Sequence, residues 1–315
     1  MLGTFCRIDL YESGSPRLYN RLFARLAELD RILSANRDDS ELSALNRNAA
    51  LKAVPLSPEL RTVLERALFF AEASGGALDP TVGPLVKLWD IGAKNPRVPS
   101  EDEIQAALDM VNWRDLELQA DGGALLRRPG MAIDLGAIAK GYAADELVKI
   151  LKETKVPRAL IDLGGNIYVW GGKKDNTPWR IGIQNPLDDR GSYVGIVETQ
   201  SISMVTSGVY ERFFTGQDAV RYHHIFALPG TGAGKPGYPV SNGLLSVTVA
   251  AASSMDADAL STACFSLGYE KGRALAEAAG AKAVFIFADK TIRGSAGALD
   301  AFTLMDKSFR MEPKL

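Results

Sequence analysis

Ala159-Leu160-Ile161-Asp162-Leu163-Gly164-Gly165-Asn166-Ile167-Tyr168-Val169-Trp170 sets two short apolar runs on either side of a glycine pair. Short runs rich in Ile, Val, Tyr and Trp, bounded by turn residues, read as strands over 159–163 and 167–170. The same pattern recurs at 180–183, 193–197, 201–205 and 244–250, and a last apolar run covers 283–288. Helical spacing returns at 256–267 and 269–279. Runs of antiparallel strands with helices to one side predict an α+β fold of mixed, largely antiparallel sheets with flanking helices.

Working back toward the N-terminus, Gly141 opens a helix over 141–153, and a β-hairpin is expected over 113–134 with its turn at Asp121-Gly122-Gly123. Residues 101–110 read as a helix. Residues 16–33 place Leu22, Leu26, Leu29 and Leu33 on one helical face, and 58–74 do the same with Leu60, Val63, Leu64 and Leu68. A polar loop over 34–46 joins these helices, its short side chains suiting turns and caps. The opening strand is read over 3–8, and the Gly/Pro-rich piece at 229–239 as a flexible excursion too short to separate domains. The expectation is one body over 1–315, divisible at most into two packed lobes.

The 315 residues suffice for a large core, and 36 Lys plus Arg against 38 Asp plus Glu leave a net charge of -2. No basic block points to nucleic acid or a membrane surface. Cys6 and Cys264 stand far apart outside any C-x-x-C context, so neither a zinc site nor a disulfide framework is expected, and both read as buried apolar fillers. No apolar run approaches a membrane span of roughly 18–20 residues, and none reads as a signal peptide.

Five clusters could carry chemistry. Ala132-Ile133-Asp134-Leu135-Gly136-Ala137-Ile138-Ala139-Lys140-Gly141 runs from a strand end through a glycine-flanked turn into a helix, placing Lys140 where an anion could bind; a plain tight turn is the bland alternative. Asp162-Leu163-Gly164-Gly165-Asn166 would let a ligand approach backbone, or is again only a turn. Thr206-Ser207-Gly208 offers small hydroxyls at a strand end. His223-His224-Ile225 holds both histidines of the chain, and strand alternation allows one of them at most into a site. In Asp256-Ala257-Asp258-Ala259-Leu260-Ser261-Thr262, Asp258 and Thr262 fall on one helix face, a carboxylate and a hydroxyl for a hard cation. Asp256 then reads as the N-cap, and the alternative for Asp258 is that it complements the helix dipole.

Together, and in this order, these clusters resemble the ApbE family of FAD:protein FMN transferases and flavin-trafficking lipoproteins. The resemblance also draws on Gly3-Thr4, Asp39-Ser40-Glu41 with Asn46, and Leu78-Asp79-Pro80-Thr81-Val82-Gly83 with Trp89. It covers nearly the whole chain. It implies FAD in a cleft with Mg²⁺ beside its pyrophosphate, the metal held by Asp258, Thr262 and a backbone carbonyl, that of Ala137. His224 is implied as general base, with Lys140 as an electrostatic partner of phosphate or ribose beside the catalytic Asp258. Asn36, Asp79, Thr81, Trp89, Lys140, Asp162, Gly164, Gly165, Thr206, Ser207, Gly208, His224 and Ile225 are implied around the nucleotide.

The chemistry implied is cleavage of the FAD pyrophosphate, with FMN passing to a Ser/Thr hydroxyl of an acceptor protein or to water. Asn36 occupies a loop position that is aromatic in typical transferases, and Ile225-Phe226-Ala227-Leu228 replaces the usual Ile/Leu-Asp-Pro-x after the histidine. Both features are similar to spirochaete members that favour FAD hydrolysis. The family also implies a periplasmic protein tethered by an N-terminal lipid, whereas Cys6 falls inside the first predicted strand. A non-catalytic FAD-binding or storage protein is the alternative from a different class.

Overall fold

The computed structural model describes residues 3–94, 96–189 and 191–312. Its first half contains β1 (Cys6–Leu10), α1 (Pro16–Leu33), α2 (Glu41–Arg47), β2 (Val54–Pro55), α3 (Pro58–Ala73), α4 (Gly83–Trp89), α5 (Glu101–Leu108), β3 (Leu116–Leu118), β4 (Gly123–Leu126) and α6 (Ala139–Glu153). Then follow β5 (Ala159–Leu163), β6 (Asn166–Trp170), β7 (Trp179–Gln184), β8 (Tyr193–Thr199), β9 (Ile202–Gly208), β10 (Phe213–Thr215), β11 (Arg221–His223), β12 (Leu244–Ala251), α7 (Ser254–Ala278), β13 (Lys282–Phe287), β14 (Thr291–Gly294), β15 (Phe302–Leu304) and β16 (Arg310–Met311). The fold is the expected α+β. Internal contacts divide the chain into a first unit of 1–26, 140–208 and 243–315, and a second of 27–139 and 209–242.

The first unit is built on an eight-stranded sheet in the order β1-β5-β6-β9-β12-β13-β14-β16. Its described pairings are antiparallel except for the parallel β14–β16 edge. β5 and β6 are joined through Gly164 (φ +67°) and Gly165 (φ +90°), the two positive dihedrals that a two-residue type I′ turn requires. Period-two alternation assigns the faces of β9. Met204 joins Val169, Val284 and Ile286 in a core shared with Trp179, Ile181, Val194 and Phe302 of a three-stranded β15-β8-β7 sheet. The opposite face of β9 and β12 is covered by α7. Gly268 (φ 74°, ψ −176°) breaks α7 in a region open essentially to glycine alone, which separates the two helices expected at 256–267 and 269–279.

The second unit holds α2 to α5, a three-stranded β2-β4-β3 sheet and the β10–β11 hairpin. Trp89 is 1% exposed, donates its indole N–H to the Gly237 carbonyl at 2.8 Å and packs among Phe214, Tyr222, Phe226 and Tyr238.

Several expectations are corrected. The loop read over 34–46 ends in a helix, because Ser40 caps the Ser43 N–H and Leu42 and Leu45 are wholly buried. The 113–134 hairpin shrinks to β3 and β4: Trp113–Asp115 is a 3₁₀ turn capped by Asn112, and no strand continues past Leu126 into the Asp134 turn. The 229–239 piece is closed at its base, Ala227 donating to Tyr238 and Gly237 donating back to Ala227, both at 2.8 Å. Cys264 is buried, but Cys6, on edge strand β1, is only half-buried. No described helix is long and apolar enough to cross a membrane.

Candidate active site

Within the first unit, polar side chains concentrate where α6 and β9 meet α7. Asp258, one turn into α7, is 2% exposed. Its Oδ2 accepts from the Gly141 N–H at 2.9 Å, and its Oδ1 lies 3.1 Å from the Lys140 ammonium. A charge this deeply buried is sustained by such partners, a cation and a backbone donor. Gly141 makes the approach possible: a Cβ there would stand 2.1 Å from the Ser254 carbonyl oxygen and 2.6 Å from Met255 Cα. One turn along α6, Asp145 takes Ser254 N–H on Oδ1 at 2.9 Å, and the Ser253 hydroxyl and Met255 N–H on Oδ2 at 3.0 Å each. Burial raises the Asp145 pKa above the ordinary carboxylate range, against those three donors.

The odd-numbered residues of β9 face α7. Ser203 Oγ lies 2.8 Å from Ser254 Oγ, which also donates to Asn166 Oδ1 at 2.8 Å. Ser207 Oγ lies 2.8 Å from Ser261 Oγ and 3.1 Å from Thr262 Oγ1. Ser261 donates in turn to the Asp258 carbonyl at 2.9 Å. Asp258 and Thr262 therefore share one face of α7 as hard oxygen donors, which suits Mg²⁺. No cluster of three His, Cys, Asp or Glu side chains forms among the described residues. A cation at Asp258 would complete its shell with hydroxyl, carbonyl, phosphate and water oxygens, a mixture Mg²⁺ accepts.

In the second unit the two histidines separate. His223 ends β11 and is 4% exposed; its Nε2 lies 3.0 Å from the Val240 carbonyl and its Nδ1 accepts the Ile225 N–H at 3.3 Å. Burial lowers its pKa to about 4, so it is neutral and structural. His224 lies just beyond the strand, half-buried, with Nδ1 at 3.2 Å from the Arg212 carbonyl oxygen. A carbonyl only accepts, so Nδ1 carries the hydrogen and Nε2 is the basic nitrogen of the neutral ring.

Asn46 pins the segment before the Asp134 turn through both amide atoms, donating to the Ile133 carbonyl at 3.0 Å and accepting from Ile133 N–H at 2.7 Å. Asp134 Oδ1 accepts from the Gly136 N–H at 2.8 Å, shaping the turn that contains Ala137. Asp79 is 8% exposed and holds Thr81 N–H and Oγ–H at 2.7 and 2.6 Å and Trp113 N–H at 2.9 Å. Burial raises its pKa despite these donors.

The ApbE family profile matches residues 2–285. The chain belongs to the ApbE family. An FAD:protein FMN transferase of Treponema pallidum is 42% identical, aligned over 99% of this chain and 90% of its own. A second, from Klebsiella pneumoniae, is 34% identical over 99% and 95%. Among solved structures, the flavin transferase ApbE from Vibrio cholerae superposes with a TM-score of 0.82 at 32% identity, covering 96% of both chains. An ApbE protein from Thermotoga maritima gives 0.82 at 31% identity, over 92% and 93%.

Against this ApbE frame, Lys140, Ser207, Asp258 and Thr262 gather within the first unit. Gly208, at the end of β9, pairs with Ser246 of β12. Thr206 does not join them: alternation turns its hydroxyl to the opposite face, 2.8 Å from Thr248 Oγ1. Asp162 accepts from the Gly165 N–H at 2.9 Å, and a Cβ on Gly164 would stand 1.8 Å from Thr4 Oγ1, so the close approach at this turn is made by the chain itself. In the second unit, Asp79 and Thr81 bind each other and Trp89 is core, while Asn36 is exposed and Ile225 buried.

Asp256 is not the N-cap of α7. That residue is Ser253, whose hydroxyl accepts from the Asp256 N–H at 3.2 Å. Sequence reasoning missed Asp145 and the hold of Asn46 on Ile133. The spacing of Gly141 and Asp145, one turn apart on a predicted helix, was the available signal for the first; nothing local marks the second.

Proposed function

We propose that the protein cleaves the pyrophosphate of FAD in a Mg²⁺-dependent reaction and passes FMN to a Ser/Thr hydroxyl of an acceptor protein. What carries the reading is the buried Asp258 carboxylate with Thr262 on the same helix face, in a chain whose full-length relatives are named FAD:protein FMN transferases. Asp258 and Thr262 would hold the metal, with the Ala137 carbonyl as a further oxygen, and the metal would neutralise charge on the pyrophosphate. Lys140, already the counter-ion of Asp258, supplies positive charge for a phosphate. His224 Nε2 takes the proton of the attacking hydroxyl. The new P–O bond forms at the FMN phosphorus as its bond to the bridging oxygen breaks, and that oxygen leaves with AMP.

Water as acceptor is the second reading, favoured by the exposed Asn36 where typical transferases carry an aromatic ring. A periplasmic, lipid-tethered native form belongs to the same proposal, and an upstream gene sequence without an export signal would overturn that part. The test incubates purified protein with FAD, with Mg²⁺ or EDTA, and with or without a peptide bearing a Ser/Thr acceptor. FMN on the peptide establishes transfer, and free FMN and AMP without it establish hydrolysis. Intact FAD in every tube leaves a binding protein. Asn36→Tyr should shift products from free FMN toward transfer or retained FAD.

A further inference from the structure

The α6–α7 crossing contains a carboxylate to which the reaction above gives no role. Gly141 and Asp145 lie one turn apart on α6 and face Ser254, Met255 and Asp258 of α7. At Gly141 the backbones touch, leaving no room for a Cβ. At Asp145 a single side chain holds three donors of the first turn of α7 at 2.9, 3.0 and 3.0 Å. The anion also sits at the positive end of α7, where the helix dipole favours it.

We propose that Asp145 is a positioning residue: by tying the first turn of α7 to α6 it sets the Asp258 carboxylate against Lys140 and the Gly141 N–H, and touches no reacting atom. The helix does not need Asp145 in order to form. Ser253 supplies its own N-cap, and Ser254 Oγ remains anchored on the sheet by Ser203 and Asn166. What Asp145 adds is the register between α6 and α7, one turn before the residue that would hold the metal. Its loss should therefore displace Asp258 rather than unfold the helix.

The test compares the wild-type full chain with Asp145→Asn, whose amide offers one acceptor where the carboxylate offers two. Two readouts are taken: hydrogen exchange of the Gly141 amide, and the Mg²⁺ concentration for half-maximal FAD cleavage set against kcat at saturating Mg²⁺. Faster exchange at Gly141, with a Mg²⁺ midpoint raised about 10- to 100-fold and kcat at saturation close to wild type, is the expected result. Faster exchange confined to residues 254–256 with an unchanged midpoint would overturn the proposal, reducing Asp145 to a local cap. The second readout rests on the proposed function and the first does not. A wild type that leaves FAD intact while the variant still loosens Gly141 refutes that function and upholds the positioning role. Should Asp145→Asn fail to fold, Asp145→Glu, which keeps the carboxylate and the Ser253 cap but lengthens the side chain by one methylene, must give the same signs at smaller size.

Discussion

A methyl group at Gly141 separates two accounts of that residue by the sign of its effect. If Gly141 were only a helix residue, Gly141→Ala would stabilise α6 by about 0.8–1 kcal/mol through propensity. In the structure the new Cβ would lie 2.1 Å from the Ser254 carbonyl oxygen and 2.6 Å from Met255 Cα, where ordinary contact begins at 3.4 Å. Both obstacles are backbone, so a side-chain rotation cannot relieve them and the helices must part by more than about 1 Å. Overpacking of this kind costs about 1–3 kcal/mol. Parting also stretches the bond from Gly141 N–H to Asp258, now 2.9 Å, and the three bonds to Asp145. Weakening one or two charge-assisted bonds adds about 2 kcal/mol. Set against the propensity gain, the net destabilisation is about 2–4 kcal/mol, or a urea midpoint lowered by roughly 1 M. Urea unfolding followed by far-ultraviolet circular dichroism reads this directly. A midpoint equal to or above wild type would refute the close-crossing argument.

His223 predicts a pH dependence. Burial holds its folded pKa at about 4 against 6.5, so its contribution is full above pH 6.5 and is lost as pH falls toward 4, about 3 kcal/mol in all. The stability difference between wild type and His223→Gln should be flat above pH 7 and shrink across that window, as urea titrations at stepped pH will record. Asn46→Ala removes both bonds to the Ile133 backbone and should lower stability by about 2–3 kcal/mol, measured by thermal unfolding, with FAD cleavage falling more than stability because the Asp134 turn loses its anchor. Gly164→Ala forces a positive φ on alanine and drives its Cβ against Thr4; in a Thr4→Gly background the cost should fall by at least about 1 kcal/mol in a double-mutant cycle.

The strands of the large sheet were legible because they are short, apolar and bounded by glycines, and α7 because its apolar period survives on either side of Gly268. The helix at Glu41–Arg47 was hidden by length: its 7 residues expose too little period among polar neighbours, and it exists because Leu42 and Leu45 find a core. Alternation allowed at most one of the two histidines into a site, and His223 is the one the fold buries, although His224 already lies beyond the strand.

Residue spacing by itself determined that Asp258 and Thr262 share a helix face, that Gly164 and Gly165 turn the chain, and that the fold is α+β. Tertiary structure alone decided that Ser207 finds its partners in Ser261 and Thr262 of α7, that Asp79 and Trp89 spend their polar groups inside the protein, and that Asp145 rather than Asp256 bonds the first turn of α7. The physical reason is the range of each determinant. Periodicity and turn dihedrals are set by neighbours within a few residues, whereas the partner of a buried carboxylate or indole is whatever donor the packed chain brings within hydrogen-bond reach, as from Asp145 to Ser254 or from Trp89 to Gly237.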